Sequence, residues 1–244
     1  MSTDNIPLQS NAYRELDKNT VDSKDQLKGC TYIRFENLTE NGPRILFLGN
    51  SITLHGPKPD IGWYGDWGMA ASAKEKDYVH LLEKEILQKN PTASFCICQV
   101  AEWERMYQNG SQLHSMYQSA REFLADIIIV RFIENCPKKD FDHAAFKREL
   151  HELLSYLNAK QKARVVLTTG FWNHPGNSPI AEYASENGYP FIDLSDLGER
   201  DEMKAVGLFE HKGVCNHPSD LGMQTIADRV VKTLLDLIPP HHSN

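Results

Sequence analysis

Two short segments near opposite ends of the chain hold the residue types that acyl transfer needs. One is Gly49-Asn50-Ser51-Ile52-Thr53 and the other is Asn216-His217-Pro218-Ser219-Asp220-Leu221-Gly222-Met223. A serine hydroxyl attacks a carbonyl only when a base takes its proton, so Ser51 as nucleophile requires an imidazole close by, and His217 offers one. Each residue alone has an ordinary alternative: a turn serine or helix cap for Ser51, a surface loop position for His217. The two segments together carry the reading.

The elements that must bring them together are legible in the hydrophobic pattern. After the Asn41-Gly42-Pro43 turn, the apolar run at 44–48 suits a strand buried on both faces. Strand-like runs at 94–100, 127–132, 164–168 and 190–194 alternate with helix-like ones at 78–88, 113–124, 141–157, 180–186 and 221–237, and a short edge strand is expected at 32–35. Such alternation predicts an α/β fold, a parallel sheet flanked by helices and joined by right-handed crossovers. Reactive groups in an open sheet of this kind belong on loops at the carboxyl ends of strands; Ser51 follows the first core strand there. Residues 1–40 read as an N-terminal extension with an edge segment, and 41–244 as one domain.

The 49–53 and 216–223 segments resemble the first and last motif blocks of the SGNH hydrolases, the GDSL-like lipases and esterases. The resemblance covers roughly 45–237 and implies a three-layer, flavodoxin-like fold that hydrolyses carboxylic esters through an acyl-serine, with no cofactor. In the family a glycine-x-asparagine-aspartate block gives an asparagine side chain to the oxyanion; here Arg131-Phe132-Ile133-Glu134-Asn135-Cys136 keeps Asn135, loses the glycine and has Cys136 for the aspartate. Another block gives a backbone N–H from a glycine. Residues 100–105 contain none, and the donor is placed near Glu104. The family's aspartate three residues before the histidine is Val214 here. Three possibilities then remain for orienting His217: a backbone carbonyl such as that of Val214, the Glu134 carboxylate, or nothing, in a weakened or dead enzyme. Because Ser51, Asn135 and His217 all remain, a dyad or Glu134 is favoured.

The loop at 54–72 packs Trp63, Tyr64 and Trp67 among glycines and prolines. These rings either line a binding surface or cover the side of the domain as a small satellite core. Flat rings stack on pyranose faces, so an O-acetylated carbohydrate is the expected substrate, and family members commonly hydrolyse such esters. Candidate substrate-binding residues are Asn50, Trp63, Tyr64, Trp67, Trp103 and His174, with His55 expected as a solvated loop residue. A lipid or aryl esterase, an acyltransferase with the same residues, and a non-catalytic carbohydrate-binding protein on a decayed scaffold are the alternatives.

Composition bounds the rest. With 41% hydrophobic and 24% charged residues, the chain can bury a substantial core. Its net charge of −7, without a long basic run, argues against a nucleic-acid partner. Its apolar runs fall far short of the roughly 20 residues a membrane helix needs. Residues 1–9 lack the pattern of a signal peptide, so the expected location is cytoplasmic, or secreted or periplasmic if a leader has been removed. Cys30, Cys96, Cys98, Cys136 and Cys215 form no Cys-x-x-Cys pair and read as free thiols. No His-x-x-x-His or His-Glu-x-x-His spacing occurs, and no catalytic metal is expected.

Overall fold

In the computed structural model, which describes residues 32–241, β2 (Arg44–Gly49) turns Ile45 and Phe47 to one side and Leu46 and Leu48 to the other; all four are fully buried. A strand with no solvent-facing side must be central. Accordingly, β2 pairs in parallel with both β3 (Ser94–Gln99) and β4 (Ile127–Arg131). The parallel strands β5 (Arg164–Thr168) and β6 (Phe191–Ile192) extend one side, and β1 (Ile33–Glu36) closes the other edge antiparallel to β3. The order is β1-β3-β2-β4-β5-β6.

Helices cover both faces. On one, α1 (Tyr78–Lys89) and α7 (Asp220–Leu237) bury Leu82, Ile86, Ile226 and Val230 against Ile45, Phe47 and Ile129. On the other, α4 (His143–Leu157) and α5 (Asn177–Asn187) bury Phe146, Leu150 and Ile180 against Leu46, Leu48 and Val130. Each fully buried side chain of this size contributes about 1.5–3 kcal/mol of transfer free energy. This is the three-layer α/β fold expected from the pattern. After β2 the chain leaves toward the α1 face, whereas after β3 it leaves toward the other. The carboxyl ends of these neighbouring strands therefore open a crevice between them.

Two elements differ from expectation. Instead of a helix at 113–124, a 3-10 run spans Tyr107–Tyr117 and a single short helix, α3 (Gln118–Glu122), follows. Gly110 lies so close to the Trp103 indole that a Cβ would meet Nε1 at 2.1 Å, and Ser111 N–H donates to Glu149 on α4 at 2.8 Å; these contacts tie the segment down turn by turn. The strand expected at 190–194 ends at Ile192, because the Asp193 carboxylate accepts the Ser195 N–H at 2.9 Å and bends the chain. Two short helices were not expected: α2 (Ala101–Arg105) and α6 (Lys212–Cys215). Cys96, Cys98 and Cys136 are buried free thiols and Cys215 is half-buried and free, while Cys30 lies outside the described residues. No helix among the described residues is long and apolar enough to cross a membrane.

Candidate active site

Ser51 is set by a turn that only glycine permits at its start. A Cβ on Gly49 would lie 1.8 Å from the Thr53 hydroxyl and 2.9 Å from the Arg131 carbonyl, so β2 can press against β4 and turn at once. The Asn50 carbonyl accepts N–H bonds from Thr53 and Leu54, both at 2.9 Å, and Met69 N–H donates to the Ser51 carbonyl at 2.8 Å. These bonds hold the hydroxyl at the sheet's carboxyl edge.

His217 arrives there from the other end of the chain. Helix α7 is capped by Ser219, whose side chain accepts the Gly222 N–H, and Ser219 N–H in turn donates to Met203 at 2.9 Å. The His217 carbonyl accepts the Ala205 N–H at 2.9 Å. The four-residue helix α6 leaves its last carbonyls without helical partners. His217 N–H tightens onto Val214 at 2.9 Å, skipping Gly213, and the Gly213 carbonyl instead accepts Nδ1–H of the imidazole at 2.7 Å. With the proton fixed on Nδ1, Nε2 is free to accept, and it lies 2.7 Å from Ser51 Oγ. Burial holds His217 low, at about 4, so the ring is a neutral base at pH 7.

The orienting group is therefore a backbone carbonyl, that of Gly213 and not Val214. Val214 is fully buried in a satellite cluster with Trp63, Met69, Ala70 and Ala205. Glu134, the alternative orienter, faces elsewhere: its carboxylate accepts from Asn50 Nδ2 at 2.5 Å, Arg131 Nη2 at 2.8 Å and Phe171 N–H at 2.7 Å.

Behind Ser51 is a buried polar network that the sequence did not disclose. Fully buried Glu104 accepts at Oε1 from Asn50 Nδ2 (3.1 Å), Ile133 N–H (2.7 Å) and Asn135 N–H (3.2 Å), and at Oε2 from Asn135 Nδ2 (2.7 Å). Every partner is a donor. Burial and the neighbouring Glu134 carboxylate push Glu104 up to about 7, against the pull of those N–H groups. Glu104 thus anchors Asn135, whose second amide hydrogen remains for the cavity. Its own N–H is bonded to Val100 at 3.1 Å inside α2, which corrects the expectation of an oxyanion donor at that position. Ala101, the first residue of α2, has no helical partner for its N–H and lines the Ser51 cavity, making it the donor this segment offers.

The glycine missing before Asn135 leaves a trace. Ile133 takes its place with φ at +148°, a region that favours glycine. Its N–H is held by Glu104, and its side chain fills the space above Gly170 and Gly176, where added Cβ atoms would meet it at 2.6 and 2.3 Å.

Ser51, His55, Lys58, Ala101, Asn135 and His217 are among the residues lining a cavity of about 190 Å³. His55, expected in solvent, is buried, donates Nδ1–H to Gly56 at 2.7 Å and is held low, at about 3, by that burial. Trp172, which sequence reading passed over beside His174, packs edge-on against the His217 ring at 5.8 Å.

Several proposed substrate residues lie elsewhere. Asn50 is fully buried; its Oδ1 accepts from Arg131 Nη2 at 2.9 Å, so it braces the network. Trp103 is a core residue packed against Phe132 and Phe146. His174 is buried as a latch, donating Nε2–H to the Cys136 carbonyl at 3.0 Å and accepting Gly176 N–H at 2.9 Å. Trp63 belongs to the satellite core, and half-buried Trp67 meets it edge-on while donating Nε1–H to Ala71 at 2.9 Å. Tyr64 alone of that loop's rings faces solvent, 73% exposed, in a depression that shares Ile61 and His211 with the Ser51 cavity.

No protein-family model matches the chain, and no curated protein matches it. Solved structures do match in fold. The chain superposes with a TM-score of 0.54 at 16% identity on a putative GDSL-like lipase from Parabacteroides merdae, over 79% of this chain and 95% of that one. A family two carbohydrate esterase from Clostridium thermocellum in complex with cellohexaose gives 0.51 at 14% identity, over 82% and 68%. A two-domain esterase active on acetylated mannans gives 0.51 at 16% identity over 83% of this chain, which spans only 53% of that protein. The fold is that of the GDSL-like, or SGNH, hydrolases.

Proposed function

We propose that the chain is a serine esterase that removes small acyl groups, acetyl foremost, from a carbohydrate through an acyl-serine intermediate. The observation that carries this is the 2.7 Å contact between Ser51 Oγ and His217 Nε2, with Nδ1–H committed to Gly213. Ser51 attacks the ester carbonyl as Nε2 takes its proton. The oxyanion faces the Ser51 and Ala101 N–H groups and the Asn135 amide. Collapse returns the Nε2 proton to the departing alkoxide, and a water activated by the same nitrogen then cleaves the acyl-serine. The Gly213 carbonyl supports the transient imidazolium with a dipole where a carboxylate would supply a full charge.

Cavity size supports the acyl group: about 190 Å³ around Ser51 lies below the roughly 300–1,000 Å³ of drug-sized ligand sites and leaves little room for a fatty chain. Exposed Tyr64, in the neighbouring depression, supports a sugar platform. The fold neighbours active on acetylated mannan or bound to cellohexaose lend the substrate class its plausibility. A second reading, a non-catalytic binding protein, rests on Val214 in place of the acid. Turnover of p-nitrophenyl acetate by the wild type and its loss in Ser51→Ala support the esterase; Ser51-independent turnover, or none with sugar binding retained, defeats it. Wild-type preference for butyrate or longer esters over acetate overturns the acetyl assignment.

A further inference from the structure

At the antiparallel edge of the sheet, the last residue of β1 meets the first turns of α1. Glu36, His80 and Glu83 each offer one ligand atom there, and the three atoms lie within 4.8 Å of one another. His80 and Glu83 are three residues apart on α1 and so share a face. Asp77, the fully buried cap of α1, accepts both the backbone N–H of His80 at 2.8 Å and its ring Nδ1–H at 2.7 Å. That carboxylate fixes the ring and leaves Nε2 facing Glu36 at 3.3 Å, where its N–H donates to the carboxylate; a bound cation takes the place of that proton. A carboxylate behind the far nitrogen is the support that metal-bound histidines ordinarily have.

A second observation is independent of the clustering. Glu83 is only 6% exposed, yet its Oε1 has no hydrogen-bond partner among the described residues. A buried carboxylate oxygen without a donor is costly, and a cation satisfies it. We propose that Glu36, His80 and Glu83 bind one divalent cation of the zinc class through one imidazole nitrogen and two carboxylate oxygens, with water as fourth ligand. Mixed nitrogen and oxygen donors in this number suit zinc; calcium calls for six to eight oxygens and magnesium for an octahedron of them.

Donors bound at about 2.0–2.2 Å to a tetrahedral ion stand about 3.3–3.6 Å apart, so modest side-chain rotations close the site. Glu36 Oε1 now faces Lys74 at 2.8 Å and Arg34 at 3.8 Å; Lys74 has to withdraw, and its side chain, 36% exposed, has solvent to withdraw into, while Arg34 keeps its ion pair with Asp66 at 2.7 Å. Lys74, His80 and Glu83 border one open depression, which gives an ion access. None of the three ligands lines the Ser51 cavity, so the ion's role is structural. It ties the edge strand to α1. Asp77 also accepts the Gly68 N–H at 2.8 Å, and the next residue, Met69, donates to the Ser51 carbonyl, so the tie extends to the nucleophile's turn.

The test uses the full chain, stripped with a chelator and titrated with ZnCl2 by calorimetry, with CoCl2 absorption reporting the ligand field. One equivalent of Zn2+ is expected, with a rise in Tm. Glu36→Gln, Glu83→Gln and His80→Gln should each weaken Zn2+ binding by about 10-fold or more. Circular dichroism checks that the variants fold; Glu36, at the strand edge, is the variant least able to disturb the core. Absence of stoichiometric Zn2+ binding by the wild type overturns the proposal. Wild-type affinity in folded Glu36→Gln overturns it equally, since the ion would then sit on other histidines.

Discussion

Replacing Glu104 by glutamine tests whether the buried carboxylate sets the oxyanion donor. The wild-type carboxylate meets four N–H groups, three at Oε1 and one at Oε2. Glutamine keeps one acceptor oxygen, and its best placement retains the three bonds at the Oε1 position. Its new NH2 then faces Asn135 Nδ2 across the former 2.7 Å bond, donor against donor. Leaving that pair unsatisfied in a buried setting costs about 1–3 kcal/mol. The relief available is a flip of the Asn135 amide, which turns its oxygen to the glutamine and rotates the N–H away from the oxyanion. Loss of one such donor typically lowers kcat by about 10²–10³, or about 2.7–4 kcal/mol. For Glu104→Gln we therefore expect kcat on p-nitrophenyl acetate to fall by that factor, with KM little changed and the fold intact by circular dichroism. The cycle with Asn135→Ala should be strongly non-additive, the double variant being about as slow as Asn135→Ala alone. Wild-type kcat in Glu104→Gln, or losses that multiply in the double variant, would refute the reasoning.

Three further outcomes follow from the geometry. His217 and His55, held by burial at about 4 and about 3, lie below the unfolded value near 6.5, so the unfolded chain takes up their protons first; the stability these two contribute should be lost as pH drops from about 6.5 to about 3, so urea denaturation of His55→Gln should show a weaker acid loss over that range than the wild type, and kcat/KM should lose half its value near pH 4, against a midpoint near 6.5 if the base were solvated. Gly176→Ala should destabilise the wild type by about 1–3 kcal/mol through overpacking against Ile133, and markedly less in an Ile133→Gly background; equal losses by urea denaturation would refute the contact. Val214→Asp puts a carboxylate into the apolar cluster with Trp63 and Met69, so it should lower Tm by the equivalent of about 3 kcal/mol or more and leave kcat no higher; a rise in kcat would mean that this side chain reaches Nδ1.

How much of this was legible in the sequence depended on whether a residue's role is local. The strands β2, β3, β4 and β5 announced themselves because two-sided burial writes an unbroken apolar run. Ser51, Asn135 and His217 stood out because each sits in a loop at an element end, where polar residues mean something. Glu104, Arg131 and Asn50 could not be read the same way. Charged and amide residues normally point outward, and only folding of three distant segments shows that they point at one another. The same limit explains the aromatic loop: Trp63 and Tyr64 are neighbours in sequence, but one closes a satellite core and the other faces solvent. The 3-10 run at Tyr107–Tyr117 escaped notice because the contacts that hold it come from Trp103 and Glu149 outside the segment. What orients His217 was open from sequence because a carbonyl is present at every position and marks none.

The Gly213 carbonyl that holds Nδ1 sets what a substitution can and cannot remove. It belongs to the main chain, and every amino acid carries one, so no codon change at 213 can delete the acceptor. A substitution there reaches the contact only by moving the main chain, as an added Cβ, 2.9 Å from the His211 ring, would press it to do. Position 214 then answers to packing alone, and a fully buried valine meets that demand.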